Sequence, residues 1–247
     1  SEYSEAVAAA FKSRTVHLNV NFRYTAEELT YIFDNSDAVV IFFSSEFAGQ
    51  MTALKDKLPK VKLFIEVTPL GAQPLFDGAL SHEDLVNEGD GAPLAIERSG
   101  DDLFFLYTGG TTGMPKAVMW PHETFRSLGI AGAALLGKDM STLASTLATV
   151  KAEPSVVRML PACPLMHGTG LFTSLSVLFA GGAVVTMDAE QGLDTADLWR
   201  TVVKHGVNTM AIVGDAFGKP LLKELEENPG KYNLDHMAAI TSSGVMW

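Results

Sequence analysis

The feature that most constrains the fold of this chain is a repeated succession of short, apolar, β-branched runs and helix-forming segments. Residues 16–21 are apolar and alternating, and the Thr25-to-Glu28 spacing is that of a capping box, which predicts a helix to about Asn35. The continuous run AVVIFF at 38–43 is typical of a strand buried on both faces, and Ser45 is placed to cap a helix reaching Lys57. A further strand is expected at 63–67. Residues 69–99, with their glycines, prolines and carboxylates, read as an irregular connection containing a short helix near 82–87, and divide the chain into subregions of about 1–98 and 99–247. Beyond it, strands are expected at 103–107, 117–120, 183–187, 209–213 and 238–241, with helices at 122–136, 171–180, 195–205 and 215–227; residues 1–12 also read as helical. Repeated β–α pairs imply an α/β fold of mainly parallel sheets flanked by helices. Such sheets hold ligands beyond the C-terminal ends of their strands.

Composition narrows the partners. With 47% hydrophobic residues in 247, the chain can bury a sizeable core. A net charge of -11 and a pI near 4.9 oppose nucleic acid and anionic membrane surfaces, which are bound through clustered lysine and arginine. A polyphosphate would therefore have to be held by local backbone amides and one or two lysines. Cys163 is the one cysteine, so no internal disulfide framework is possible; it lies in an apolar run and is expected as a buried thiol. This usage, and an N-terminal stretch without the basic and apolar regions of a secretory signal, lead us to expect a cytoplasmic location. Residues 168–187 lack charge over about the width of a bilayer, but their glycines break them into helix, turn and strand, so no integral membrane span is expected.

One segment carries chemistry. Residues 107–116 read YTGGTTGMPK, and from Thr108 to Lys116 three glycines, three threonines and a lysine follow directly on an apolar strand. Glycine lets backbone N–H groups approach anionic oxygens, threonine hydroxyls donate to phosphate or bind a metal, and lysine supplies a point charge. The order is not that of a Walker A loop, because Pro115 precedes Lys116 and a strand follows; nor is it the Gly-x-Gly-x-x-Gly of dinucleotide sites. A tight hairpin turn needs neither three threonines nor a Pro-Lys pair. The Asp and Asn spacing of a kinase catalytic loop is absent from the sequence.

The loop resembles the phosphate-binding signature of the adenylate-forming superfamily, which comprises acyl-CoA synthetases, luciferases and nonribosomal peptide adenylation domains. Gly109 stands where serine is usual and Ala117 where the final glycine is usual. Three other segments resemble the family in the same order. They are NVNFRYTAEEL at 19–29, PLMHGTGL at 164–171 and TSSG at 241–244, so the resemblance spans nearly the whole chain.

The resemblance implies an interior part of the large N-terminal domain of an adenylate-forming enzyme. Such an enzyme activates a carboxylic acid, here a fatty or other hydrophobic one, with ATP and Mg2+ to an acyl adenylate, then forms a thioester with coenzyme A. It further implies that Thr108, Gly109, Gly110, Thr111, Thr112, Gly113 and Lys116 bind the ATP phosphates, with the Thr112 hydroxyl on Mg2+. Ser243 and Gly244 would lie on the adenine side. His167 and Gly168, with Gly214 and Asp215, would line the acyl pocket near the adenylate, His167 as a positioning group and not a base. The family's metal-binding glutamate, its ribose-binding aspartate and its mobile C-terminal domain would follow Trp247, so the chain alone is expected to be catalytically incomplete. Two alternatives stay open, an adenylation domain that loads a carrier protein and a noncatalytic nucleotide-binding module; the 19–29 and 164–171 segments favour the acyl-CoA ligase.

Overall fold

The computed structural model describes residues 2–108, 113–135, 137–153, 155–187 and 192–244, and the chain divides into two compact units, residues 1–122 and 123–247.

In the first unit, helix α1 (Glu2–Ser13) leads into strand β1 (His17–Asn19), which lies parallel to β5 (Leu103–Thr108) with His17 opposite Phe104 and Asn19 opposite Leu106. β5 turns back antiparallel into β6 (Lys116–Pro121), paired in register from Leu103 and Pro121 to Thr108 and Lys116. A second sheet, all parallel, has the order β2 (Val40–Ser44), β3 (Leu63–Val67), β4 (Leu80–Ser81). Helices α2 (Ala26–Asn35), α3 (Ala48–Leu54) and α4 (His82–Glu88) accompany it, α2 opening on the expected capping box between Thr25 and Glu28. Leu29 and Phe33 of α2, Ile41 and Phe43 of β2, Met51 and Leu54 of α3, and Phe64 of β3 form one apolar cluster. Burying each such side chain is worth about 1.5–3 kcal/mol.

Two expectations change here. β2 buries Ile41 and Phe43 but leaves Val40 44% exposed, so it is covered on one face and not on both, in spite of its unbroken apolar run. The break between units falls after His122 and not near residue 98, because β5 and β6 complete the sheet begun by β1. The irregular connection ahead of β5 is pinned at both ends. Period-two alternation puts Glu66 on the same buried face of β3 as Phe64, where its carboxylate accepts the Leu75 and Phe76 amides, each at 2.9 Å. At the far end Arg14 grips Asp102 through two nitrogens and donates to the Glu97 carbonyl at 3.0 Å. The Arg14 hydrogen bonds, with the Ser99 amide, hold the Asp102 carboxyl below the usual carboxylate range.

The second unit contains α5 (His122–Leu135) from Glu123 onward, then α6 (Leu143–Ala152), β7 (Arg158–Pro161), α7 (Gly168–Phe179), β8 (Ala183–Val184), α8 (Thr195–His205), β9 (Thr209–Ile212), α9 (Asp215–Glu227) and β10 (Ala239–Ser242). Its sheet, ordered β10-β9-β7-β8, is parallel throughout, with Met159 opposite Thr209 and Ala239 opposite Thr209 from the other side. β7 is an inner strand that the sequence did not announce: only four residues long and ending at a proline, it is too short for alternation to register. β8 is shorter than the expected 183–187. Leu160, Leu198, Trp199, Val202, Met210 and Leu221 pack as the core, and the Trp199 indole donates to the Leu221 carbonyl at 3.1 Å. Cys163 is buried as expected, and burial pushes its thiol pKa up. No described helix is long and apolar enough to cross a membrane.

Candidate functional site

The predicted residues fall into two groups, one in each unit. In the first, the glycine-rich segment joins the loop ends of β5 and β6. Thr108 and Lys116 are directly paired across the hairpin, so the chain between them leaves and returns at one place. Lys116 is exposed at the start of β6 beside buried Pro115, and Gly113 has φ +137, which only glycine adopts without strain. Gly109, Gly110, Thr111 and Thr112, including the expected Thr112 contact to Mg2+, lie outside the described residues. In β5 next to Thr108, Tyr107 is buried and its hydroxyl donates to the Asn35 side chain at the end of α2, at 2.8 Å. Burial raises the Tyr107 pKa, so this donor keeps its proton at neutral pH.

The second group lies at the C-terminal ends of the β10-β9-β7-β8 strands, where a parallel sheet is expected to present ligands. Three turns leave this edge: 162–167 after β7, 213–214 after β9 and 243–244 after β10. His167 is the N-cap residue of α7, exposed and without a side-chain cap bond, while its carbonyl accepts the Leu171 amide at 3.0 Å. Gly168 opens α7. Gly170, one turn further, sits so close to the chain after β7 that a β-carbon there would lie 2.6 Å from the Pro164 carbonyl oxygen and 3.0 Å from that of Cys163. The second glycine of the PLMHGTGL segment is thus required by close packing, and it seats the start of α7 on the turn.

Gly214 has φ +55 and donates its amide to the Ser242 hydroxyl at 2.9 Å, tying the β9 turn to the end of β10. Asp215 begins α9 and forms an ion pair at 2.5 Å with Lys219, one turn along the same helix. The pair spans one turn on the exposed surface of the helix. Ser243 exchanges a hydroxyl–hydroxyl bond of 2.7 Å with Thr169, in the first turn of α7. Gly244 has φ +88, and a β-carbon there would meet the Thr169 hydroxyl and a Val213 methyl, each at 3.5 Å. The structure therefore gathers His167, Gly168, Gly214, Ser243 and Gly244 along one sheet edge and adds Thr169 and Ser242. Both lie inside the PLMHGTGL and TSSG segments, but sequence reasoning gave them no role of their own, because hydrogen-bond partners distant in the chain leave no local pattern. Among the described residues no three His, Cys, Asp or Glu side chains are grouped to hold a metal ion.

Residues 1–244 match the family described as AMP-binding enzyme. The chain is 37% identical over 256 positions to the 3-oxocholest-4-en-26-oate–CoA ligase of Rhodococcus rhodochrous, covering 100% of this chain and 45% of that protein. It is 29% identical over 246 positions to the medium-chain acyl-CoA ligase Mig of Mycobacterium avium, covering 100% of this chain and 44% of that protein. It thus spans less than half the length of these curated relatives. Among solved structures, a fatty acyl CoA synthetase of Mycobacterium tuberculosis shares the fold with a TM-score of 0.70 at 20% identity, over 98% of this chain and 42% of that one.

Proposed function

Because the chain belongs to the AMP-binding enzyme family, we propose that the whole protein is an ATP-dependent acyl-CoA ligase of which this chain is a part. It would activate a hydrophobic carboxylic acid to an acyl adenylate with release of pyrophosphate, then pass the acyl group to coenzyme A. The observation that carries this reading is the YTGGTTGMPK segment, held between paired Thr108 and Lys116 at the end of a hairpin. MgATP is the substrate that such a loop suits. Its threonine hydroxyls and glycine amides would wrap the β and γ phosphates, and Lys116 would offset the charge of the departing pyrophosphate. The turn at Ser243 and Gly244 would carry the adenine, with glycine leaving backbone open to the base. His167 and Gly168 would orient the acid, and Gly214 would shape the wall beside it.

The relatives named for medium-chain acids and for a steroid side-chain acid support a fatty or steroid acid as the class activated. Coenzyme A as acceptor is supported by the same names and by the 19–29 and 164–171 segments. Calorimetric titration of the full-length gene product with MgATP, wild type against Lys116→Ala, tests the loop. Loss of a charge-assisted contact should weaken binding by about 10- to 100-fold. An unchanged affinity in a folded variant would overturn the assignment of Lys116 to the phosphates.

A further inference from the structure

The end of β10 and the turn at Ser243 and Gly244 are fastened from two sides by hydroxyls. On one side the Ser242 hydroxyl accepts the Gly214 amide at 2.9 Å. On the other, the Ser243 hydroxyl meets that of Thr169 at 2.7 Å, across 74 positions of sequence. Thr169 is the second residue of α7, and helix capping does not require its hydroxyl: the N-cap is His167, and Thr173 bonds the Thr169 carbonyl, leaving the side chain for Ser243. The same oxygen would be 3.5 Å from a β-carbon at Gly244, so Thr169 borders both residues of the turn. α7 cannot easily shift to follow a displaced turn, because Gly170 already lies against the Pro164 and Cys163 carbonyls. The helix is thus a fixed post and the turn is the part it holds.

We propose that Thr169 is a positioning residue for the nucleotide half of the site, acting through Ser243 to set the backbone at 243–244 on which adenine rests; this inference depends on the adenylate-forming reading above. It also joins the segment bearing His167 and Gly168 to the adenine-side turn, so one hydroxyl pair spaces the two substrates. Thr169→Val removes the hydroxyl and keeps the shape, whereas Thr169→Ser keeps the hydroxyl.

The test is carboxylate-dependent exchange of labelled pyrophosphate into ATP by the full-length gene product, with KM measured separately for ATP and for the acid. Thr169→Val should raise the ATP KM by about three- to tenfold, the worth of one hydrogen bond, with the acid KM unchanged within about twofold. Thr169→Ser should restore the wild-type value, and Ser243→Ala should match Thr169→Val, the double variant being no worse than either single one. An unmoved ATP KM in Thr169→Val overturns the inference alone, provided the wild type exchanges. Equal losses for both substrates without rescue by serine also overturn it, since a purely structural role gives that result. No exchange by the wild type with medium-chain, long-chain or steroid acids overturns the adenylate-forming reading and this inference with it.

Discussion

At the scale of single residues, glycine separates positions that need the absence of a side chain from positions that merely tolerate it. Gly170 has backbone oxygens where a β-carbon would go, whereas nothing lies within 4 Å of one built at Gly129, inside α5. Gly170→Ala should therefore destabilise the chain by about 1–3 kcal/mol or more through overpacking. Gly129→Ala should stabilise it by up to about 1 kcal/mol through helix propensity. Denaturation midpoints of the two variants check this, and a neutral Gly170→Ala would mean that the turn after β7 can yield. The sequence pointed to Gly168 and Gly170 through a motif, but the reason for the second one is a backbone approach that no pattern of residue types reveals.

At the scale of elements, the signals that could be read were local ones. The Thr25 capping box announced α2, and the structure contains both of its reciprocal bonds, Glu28 amide to Thr25 hydroxyl at 3.3 Å and Thr25 amide to Glu28 carboxylate at 2.8 Å. Thr25→Ala should cost about 1 kcal/mol, measured by urea denaturation. Non-local features were not legible. Glu66 looks like an ordinary polar residue in a strand, yet it is completely buried and satisfies two amides of the connection that follows. Glu66→Leu should cost about 2–6 kcal/mol, because it orphans two buried N–H groups at about 1–3 kcal/mol each. It should also speed proteolysis within residues 69–79, and wild-type resistance there in the variant would contradict the role of the carboxylate. β7 was missed for the related reason that a four-residue inner strand is specified by its neighbours, through Met159 opposite both Thr209 and Val184.

At the scale of the whole molecule, two half-buried histidines contribute to the pH response near neutrality. Burial lowers the pKa of His17, whose ring bonds the Asn19 side chain at 2.6 Å, and of His122, packed on Phe11. Below the ordinary histidine value of about 6.5, the unfolded chain takes up protons that the folded one refuses. Stability should accordingly be greatest above about pH 6.5 and fall as the pH drops towards the depressed folded values. His17→Gln should shrink the decline in urea midpoint between about pH 7.5 and about pH 5.5. An undiminished decline would remove His17 from that account.

The chemistry itself has a more direct test. The full-length gene product is incubated with MgATP, coenzyme A and a medium-chain fatty acid carrying 18O in its carboxylate, and the nucleotide products are weighed by mass spectrometry. An acyl adenylate requires the carboxylate oxygen to attack the α-phosphorus, so AMP should appear with one 18O, alongside pyrophosphate and the acyl thioester. Label in inorganic phosphate with formation of ADP, or AMP without label, would show that no acyl adenylate is made and would contradict the function proposed for the loop and the sheet edge.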